Sequence, residues 1–258
     1  MLSEIVKNKL NEVEKLKTEL DISNLKFDQR KSNFYKNLLN NQNNKKNSII
    51  AEVKRKSPSK GILDDNLDVA KIVKKYQEGG ASCISVLTEK NYFNGSNDDL
   101  LEAKSSVNLP ILRKDFILDP IQIYESRMLG ADCILLIVSA LSSDMYLQLS
   151  DLAHQLDLDV LTEVHDKDEL EFALMHKAQL IGINNRNLKT FDVDINTSKN
   201  LSKIVNEDNV VLISESGIHS RDDIMNLNNE GIFTFLIGEH LVKSKNIIDE
   251  LEVLINGK

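Results

Sequence analysis

Charged and amide side chains follow several short apolar runs in this chain. Glu52 and Lys54 lie two residues apart at the end of the first run, so an extended strand would turn both toward one face. Lysine and glutamate are rarely buried without partners, so their recurrence at strand ends predicts a polar pocket suited to proton transfer. The later runs end in Lys114, Glu163, Asn184 with Arg186, and Glu215.

Small residues near the end of the chain are typical of a phosphate site. Ser216-Gly217 and Gly238 follow the last two apolar runs. Glycine lets the backbone come close to an anion, and N–H groups at such turns can bind it. Ser57 in the first loop would add a hydroxyl group.

Phe93 and Phe116 follow the second and third apolar runs. With Pro58 and Leu188 they predict an apolar wall for an aromatic substrate. The alternative is that these side chains only anchor loops to the core. The histidines show no metal-ligand spacing such as His-Glu-x-x-His, so no metal site is predicted.

The elements that must position these groups alternate between strand and helix from residue 48 onward. The apolar runs are short and continuous, as expected for parallel strands covered on both faces. The predicted strands are Ser48–Val53, Ser82–Leu87, Pro110–Leu112, Asp132–Val138, Asp159–Thr162, Leu180–Ile183, Val210–Ile213 and Thr234–Ile237.

Helical patterns lie between and after these strands, with start signals such as Asp119-Pro120 and Ser220. The predicted helices are Asp68–Glu78, Asp98–Val107, Pro120–Leu129, Ser143–Gln155, Asp166–Met175, Ile195–Ile204, Ser220–Leu227 and Asn246–Leu254.

The first part of the chain has a different pattern. An amphipathic helix is predicted from Ser3 to Leu20 and a second from about Asp28 to Leu39, followed by a polar loop over Asn40–Ser48. Residues 1–47 therefore read as a helical extension, and residues 48–258 as the main body of a single domain.

Eight strands alternating with eight helices predict an α/β fold, a (β/α)₈ TIM barrel with an N-terminal helical extension. In such a barrel the active site lies at the carboxyl ends of the strands, where the polar groups above are found. The runner-up is a doubly wound open sheet, but no G-x-G-x-x-G follows the first strand.

Composition narrows the class of protein further. The chain has 258 residues and a net charge of −8, which argues against a nucleic-acid or anionic-membrane surface. Its two cysteines exclude a disulfide framework. No apolar run is long enough to span a membrane, and the N-terminus lacks the features of a signal peptide. We therefore expect a cytoplasmic protein, by default a monomer.

Five motifs, in order along residues 49–242, resemble those of the indole-3-glycerol phosphate synthase family, as does the helical extension. The first is highly specific, whereas Ser-Glu-Ser-Gly alone is less so. The motifs are Glu-Val-Lys-Arg-Lys-Ser-Pro-Ser-Lys-Gly at 52–61, Leu-Arg-Lys-Asp-Phe at 112–116, Leu-Thr-Glu-Val-His at 161–165, Gly-Ile-Asn-Asn-Arg-Asn-Leu at 182–188 and Ser-Glu-Ser-Gly-Ile at 214–218.

The resemblance implies an enzyme of tryptophan biosynthesis. Its substrate would be 1-(2-carboxyphenylamino)-1-deoxyribulose 5-phosphate, which undergoes ring closure, decarboxylation and dehydration without a cofactor. By motif, Lys114 would be the general acid in ring closure, Glu163 the general base, Lys54 the partner of the substrate carboxylate and Glu52 the residue that orients Lys54. Hydroxyls and neighbouring charges would be held by Asn184, Arg186 and Glu215, and the phosphate by Ser57, Ser216, Gly217 and Gly238.

One departure from the family pattern is the run Gly238-Glu239-His240, where many members carry a small serine. Phosphate binding there would use a protonated His240 or backbone N–H groups alone.

Two other functions compete with this one. The first is another phosphosugar barrel, such as phosphoribosylanthranilate isomerase or the tryptophan synthase α-subunit. The second is a non-catalytic barrel that binds a phosphorylated ligand, although both lysines and both glutamates of the motifs are present.

Overall fold

The computed structural model describes residues 2–23, 25, 27, 31–188 and 190–257. Eight parallel strands close into a barrel in which each strand pairs with its chain neighbours and β8 pairs with β1, so the predicted (β/α)₈ fold is confirmed. The barrel strands are β1 Ser48–Val53, β2 Cys83–Leu87, β3 Ile111–Lys114, β4 Cys133–Ile137, β5 Asp159–Val164, β6 Leu180–Asn184, β7 Val211–Glu215 and β8 Thr234–Ile237.

Helices cover the outside of the barrel, and side-chain caps fix several of their starts. Asp119 caps the helix Pro120–Met128 and Ser220 caps the helix Arg221–Asn228, each in a reciprocal capping box. The helices are α1 Leu2–Glu19, α2 Phe34–Asn43, α3 Val69–Glu78, α4 Asn97–Ser106, α5 Pro120–Met128, α6 Ser143–Gln155, α7 Lys167–Met175, α8 Asn196–Ser202, α9 Arg221–Asn228, α10 Glu239–Lys243 and α11 Ile247–Asn256.

The extension departs from its predicted bounds. The second helix begins at Phe34 rather than near Asp28, which lies outside the described residues, and it continues through Asn43. The prediction of a loop over all of residues 40–48 was therefore wrong. These polar residues stay helical because their amides bond to the barrel: Asn41 donates to Ser48 and Gln42 to the carbonyl of Val210.

Four strands run past their predicted ends and include polar residues that the apolar pattern had excluded. β3 extends to Lys114, β5 to Val164, β6 to Asn184 and β7 to Glu215. Three further elements were not predicted: α10, a 3-10 helix over Val138–Ala140, and a short antiparallel hairpin that pairs Lys56–Ser57 with Gly61–Ile62 in the loop after β1. The strands themselves thus carry Lys114, Glu163, Asn184 and Glu215 at the carboxyl-terminal end of the barrel, here called the upper rim. Membership of a strand fixes the direction of these side chains.

Alternation along the strands separates an inner core from an outer one. Ile50, Leu112, Leu161 and Ile213 pack together inside the barrel, while their chain neighbours pack against the helices. A charged side chain follows two residues later on each of these strands: Glu52, Lys114, Glu163 and Glu215. The strand period that builds the core therefore turns these charged groups inward above it.

The two extension helices lie at opposite ends of the barrel. From α2, Phe34 and Leu38 are fully buried in the inner core, and Asn37 donates to the carbonyl of Ser82, at the edge where β2 begins. α1 instead contacts the loops that follow β2 and β3: Asn8 donates to the hydroxyl of Tyr92. The extension thus closes the lower end of the barrel and borders its upper end.

A buried ion pair fixes α1 to the barrel. The ammonium of Lys9 lies 2.9 Å from Asp115 and 2.6 Å from Glu12, and Lys9 is only 4% exposed. Asp115 also accepts a hydrogen bond from Thr88, and burial is outweighed by Lys9 and Arg113, which lower the pKa of its carboxyl group. Because Asp115 follows Lys114 directly, this contact links the extension to the upper rim.

Among the described residues, no helix is long and apolar enough to cross a membrane. Cys83 and Cys133 are both buried, and neither forms a disulfide.

Replacing Lys9 with methionine is predicted to lower the free energy of unfolding by about 3 kcal/mol, because it leaves Asp115 buried with less compensating charge. Urea denaturation measures the change. The matched control is Lys15→Met on the same helix, whose side chain is 74% exposed and should shift stability by less than about 0.5 kcal/mol. Equal effects at the two positions would contradict a special role for the buried pair.

Candidate active site

Every site residue predicted from the sequence lines one cavity at the carboxyl ends of the barrel strands. The cavity has a charged side, an apolar side and a region of small residues beside the last two strands. The charged and amide residues are Glu52, Lys54, Lys114, Glu163, Asn184, Arg186 and Glu215; the others are Ser57, Pro58, Phe93, Phe116, Leu188, Ser216, Gly217 and Gly238.

Lys114 occupies the centre of the charged side. Its ammonium donates to Glu215 Oε2 at 2.8 Å and to Glu163 Oε2 at 3.1 Å. Both carboxylates are buried, at 2% and 3% exposure. Charges so far from water are expensive unless they are paired, so this shared ion pair fixes the positions of three strand ends relative to one another.

Burial and charge oppose each other in this group. Burial alone lowers the pKa of Lys114, but the nearby carboxylates of Glu215, Glu163 and Glu52 raise it well above its usual range. Burial raises the pKa of Glu163, yet Lys114, His165 and Asn184 lower it overall. For Glu215, burial outweighs the attraction of Lys114 and, with repulsion from Glu163, raises the pKa to about 7.

Glu52 in β1 forms a second ion pair with Lys54, which directly follows that strand. The ammonium of Lys54 lies 2.5 Å from Glu52 Oε1. Glu52 is 2% exposed and lies directly against Gly238. A Cβ atom at position 238 would lie 2.6 Å from Glu52 Oε1, so glycine is needed there for the close approach of this carboxylate. The sequence predicted Gly238 as a phosphate contact only.

Gly182 makes room for Glu215 in the same way. A Cβ atom at position 182 would lie 2.1 Å from Glu215 Oε1, an oxygen that has no hydrogen-bond partner within the described part of the chain. Sequence reasoning missed this residue as a site determinant. The available signal was a glycine inside a strand of large apolar residues, which often marks close backbone or ligand approach.

The loops after β6 and β7 are tied together by amides. Asn184 donates to Glu163 Oε1 at 3.2 Å and accepts a hydrogen bond from the hydroxyl of Ser216 at 3.1 Å. Its neighbour Asn185, which is buried, donates to the carbonyl of Ser216 at 3.0 Å. This support holds Ser216 at a φ of 67°, a strained value for a non-glycine residue, with Gly217 next at 83°.

Phe93 and Phe116 face each other on the apolar side, with ring centroids 6.5 Å apart. Leu2 and Ile5 of α1 also line the cavity, so the extension supplies part of this wall. Sequence reasoning missed both residues, because the amphipathic pattern of α1 shows that one face of the helix is buried but does not show which part of the protein that face packs against.

Two histidines near the cavity have partners of their own. His240 Nε2 lies 2.7 Å from Glu250 Oε1, and its ring lies edge-on to that of His219 with centroids 5.9 Å apart. His165 contacts Glu163 and was given no role from the sequence. Among the described residues, no three His, Cys, Asp or Glu side chains are grouped so that they could hold a metal ion.

Gly182→Ala is predicted to lower the free energy of unfolding by about 1–3 kcal/mol, because the new methyl group overlaps the Glu215 carboxylate. In a Glu215→Ala background the same change should cost less than about 1 kcal/mol, since the next atom outside Glu215, Leu161 Cδ1, is 3.3 Å away. Denaturant unfolding of the four proteins of this cycle measures the coupling. Equal costs in both backgrounds would show that Glu215 is not what excludes a side chain at 182.

Comparison with known proteins agrees with this geometry. The family model described as "Indole-3-glycerol phosphate synthase" matches residues 2–254. A protein of that name from Delftia acidovorans is 48% identical over 202 residues, covering 76% of this chain and 75% of the relative. One from Azospirillum brasilense is 47% identical over 199 residues, covering 77% and 76%.

Solved structures show the same fold at low sequence identity. A thiamine phosphate pyrophosphorylase from Pyrococcus furiosus superimposes with a TM-score of 0.59 at 15% identity, covering 82% of this chain and 94% of that one. KGPDC from Streptococcus mutans gives 0.59 at 13% identity, covering 81% and 95%. These matches bear on the fold alone. The family model and the curated relatives show more: the chain belongs to the indole-3-glycerol phosphate synthase family, the carboxy-lyases that form indole-3-glycerol phosphate in tryptophan biosynthesis.

Proposed function

We propose that Lys114, held between Glu163 and Glu215, is the acid that starts the family's reaction in this protein. The observation that carries the proposal is the shared ion pair at 2.8 and 3.1 Å inside the cavity. Ring closure turns the substrate ketone into an alkoxide, which is far more basic than a carboxylate. The ammonium therefore stabilises the charge as it develops and delivers its proton there rather than to its carboxylate partners.

The following steps are assigned to the remaining charged residues. Lys54 holds the carboxylate that leaves as carbon dioxide, and Glu52 orients Lys54 through their ion pair. In the dehydration that follows, Lys54 protonates the leaving hydroxyl and Glu163 takes the proton from the ring. The lowered pKa of Glu163 means that its carboxyl group is ionised and so able to accept this proton.

The phosphate is assigned to the region between the first, seventh and eighth loops. Ser57 Oγ is buried without a hydrogen-bond partner among the described residues, which leaves a donor available to a ligand. Ser216, Gly217 and Gly238 bring backbone N–H groups to the same end of the cavity. Because His240 is engaged by Glu250, we assign the phosphate to Ser57 and the backbone rather than to this imidazole.

The aromatic ring of the substrate is assigned to the apolar side, between the phenyl rings of Phe93 and Phe116 and the side chains of Pro58 and Leu188. Hydroxyl groups of the sugar chain then lie near Asn184, Arg186 and Glu215. Arg186 is fixed for this by donating to the carbonyl of Phe191 at 3.1 Å. This orientation places the reacting carbon atoms beside Lys114.

We also infer a single domain that works as a monomer in the cytoplasm and needs no cofactor. The extension shares the inner core through Phe34 and Leu38, which supports one folding unit. Among the residues that the structure describes, exposed large apolar side chains such as Leu10, Met175 and Met225 stand on different helices and form no stripe on one element.

Lys114→Ala is predicted to lower turnover by about 10²–10⁴-fold, because a positioned acid is lost. The assay follows indole fluorescence as product forms from 1-(2-carboxyphenylamino)-1-deoxyribulose 5-phosphate, with low background because the chain has no tryptophan. Lys167→Ala, at an exposed lysine on α7, is the control and should keep full turnover. Near-normal turnover by Lys114→Ala would remove Lys114 from the mechanism. Absence of product with the unaltered protein would reject the assigned reaction.

A further inference from the structure

His165 is the first residue after β5 and is placed between two carboxylates. Its Nε2 atom lies 3.2 Å from Glu163 Oε1, and its Nδ1 atom lies 3.0 Å from Glu169 Oε2. The imidazole side chain is 14% exposed, against 4% for Glu163 and 17% for Glu169. The three side chains thus form a short series from the cavity toward the surface.

The protonation state of His165 follows from its partners. Nδ1 is at hydrogen-bond distance from Glu169, whereas Nε2 faces Glu163 at ion-pair distance without the geometry of a hydrogen bond. Carboxylates this close to both ring nitrogens favour the protonated, positively charged imidazole. Burial lowers the pKa of His165, but the contacts with Glu163 and Glu169 outweigh burial and raise it to about 10. His165 is therefore a cation at neutral pH.

Glu169 is itself held in place. The backbone N–H of His165 donates to Glu169 Oε2 at 2.8 Å, so one carboxylate oxygen receives both the ring and the backbone of the same residue. Glu169 lies in the first turn of α7, whose cap Asp166 accepts the N–H of Glu169 at 3.0 Å. A carboxylate is favoured at this end of a helix. The imidazole ring is consequently fixed from the side away from the cavity.

Several groups face Glu163 from the surrounding strands: Lys114 on β3, Asn184 on β6 and the carboxyl group of Glu215 on β7. Lys114 is shared with Glu215 and gives up its proton in the assigned mechanism. At that moment Glu163 loses its principal counter-charge. His165 is then the cation that remains at ion-pair distance, 3.2 Å, from Glu163 within the described part of the chain.

We propose that His165 is a positioning residue that, fixed by Glu169, keeps Glu163 aligned and ionised while Lys114 gives its proton to the substrate. The proposal rests on the roles assigned above to Lys114 and Glu163. It concerns Oε1 of Glu163, which His165 and Asn184 hold, so that Oε2 is free to face Lys114 and the substrate.

The kinetic test is His165→Gln, which keeps a neutral donor but removes the positive charge. Turnover is expected to fall about tenfold or more, with KM changed by less than about twofold, because the substrate contacts are intact and the base is not. His154→Gln is the matched control on an exposed position of α6 and should behave as the unaltered protein. A merely structural residue would lower only the fraction of active enzyme, so kcat normalised to the active-site concentration would stay at the value of the unaltered protein and would contradict the proposal.

Nitrogen NMR of ¹⁵N-labelled histidine supplies a readout that does not depend on activity. In the unaltered protein both ring nitrogens of His165, identified by their loss in His165→Gln, should carry protons at a pH of about 8. In Glu163→Gln the pKa of His165 should be lower, so on raising the pH this doubly protonated form should disappear at a lower pH than in the unaltered protein. A neutral ring in the unaltered protein at that pH would overturn the proposal.

The outcomes separate this proposal from the assigned reaction. Failure of the unaltered protein to form product would reject the reaction, and full turnover by Glu163→Gln would reject the role of Glu163. Impaired turnover of Glu163→Gln together with unimpaired turnover of His165→Gln would overturn this proposal and leave the assigned reaction standing.

Should His165→Gln fail to fold, Glu169→Gln at the surface end takes its place. It is expected to lower kcat and the protonation of His165 together, and no change in either would contradict the proposal.

Discussion

The ammonium of Lys114 lies between two carboxylates that the barrel removes from water, and the upper part of the structure is arranged around this contact. Three strands must end at the same height for the contact to form, and closure of the barrel enforces that height through continuous strand pairing. Each of the three side chains follows the inner core by one strand period. The core therefore supplies both the rigidity and the direction that an ion pair at this depth requires.

Room for these charges comes from residues that have no charge of their own. Gly182 leaves space for Glu215, and Gly238 leaves space for Glu52. On the outside, Lys9 binds Asp115 next to Lys114, so a helix that precedes the barrel in sequence supports its central lysine. The site thus depends on close backbone approach and on a contact from the extension as much as on its acids and bases.

Much of this arrangement could be predicted from the sequence, since periodic apolar runs gave the strand number and order, and the groups at their ends gave the rim of the cavity. The errors at the strand ends share one physical origin. Strand ends were placed where apolar residues stop, but inward-facing polar residues such as Lys114 and Glu215 continue a strand when partners on other strands neutralise them. Those partners are distant in sequence, so local pattern cannot reveal them. The same limit explains why the facing surfaces of α1 and the contact of His165 with Glu163 came only from the structure.

The central claim is that the buried carboxylates are kept at a cost in stability because the reaction needs them, and Glu215 tests it most directly. Its pKa is raised to about 7 from an ordinary value of 4.5, so the folded protein binds its proton more tightly than the unfolded chain does. Its contribution to stability is full below pH 4.5 and is lost as the pH rises through about 7. The decisive measurement is the free energy of unfolding of Glu215→Gln relative to the unaltered protein at about pH 5 and about pH 8, with indole formation alongside. The account predicts that the variant gains relative stability at the higher pH while losing turnover. A stability difference that is the same at both pH values, or a variant that retains full turnover, would contradict it.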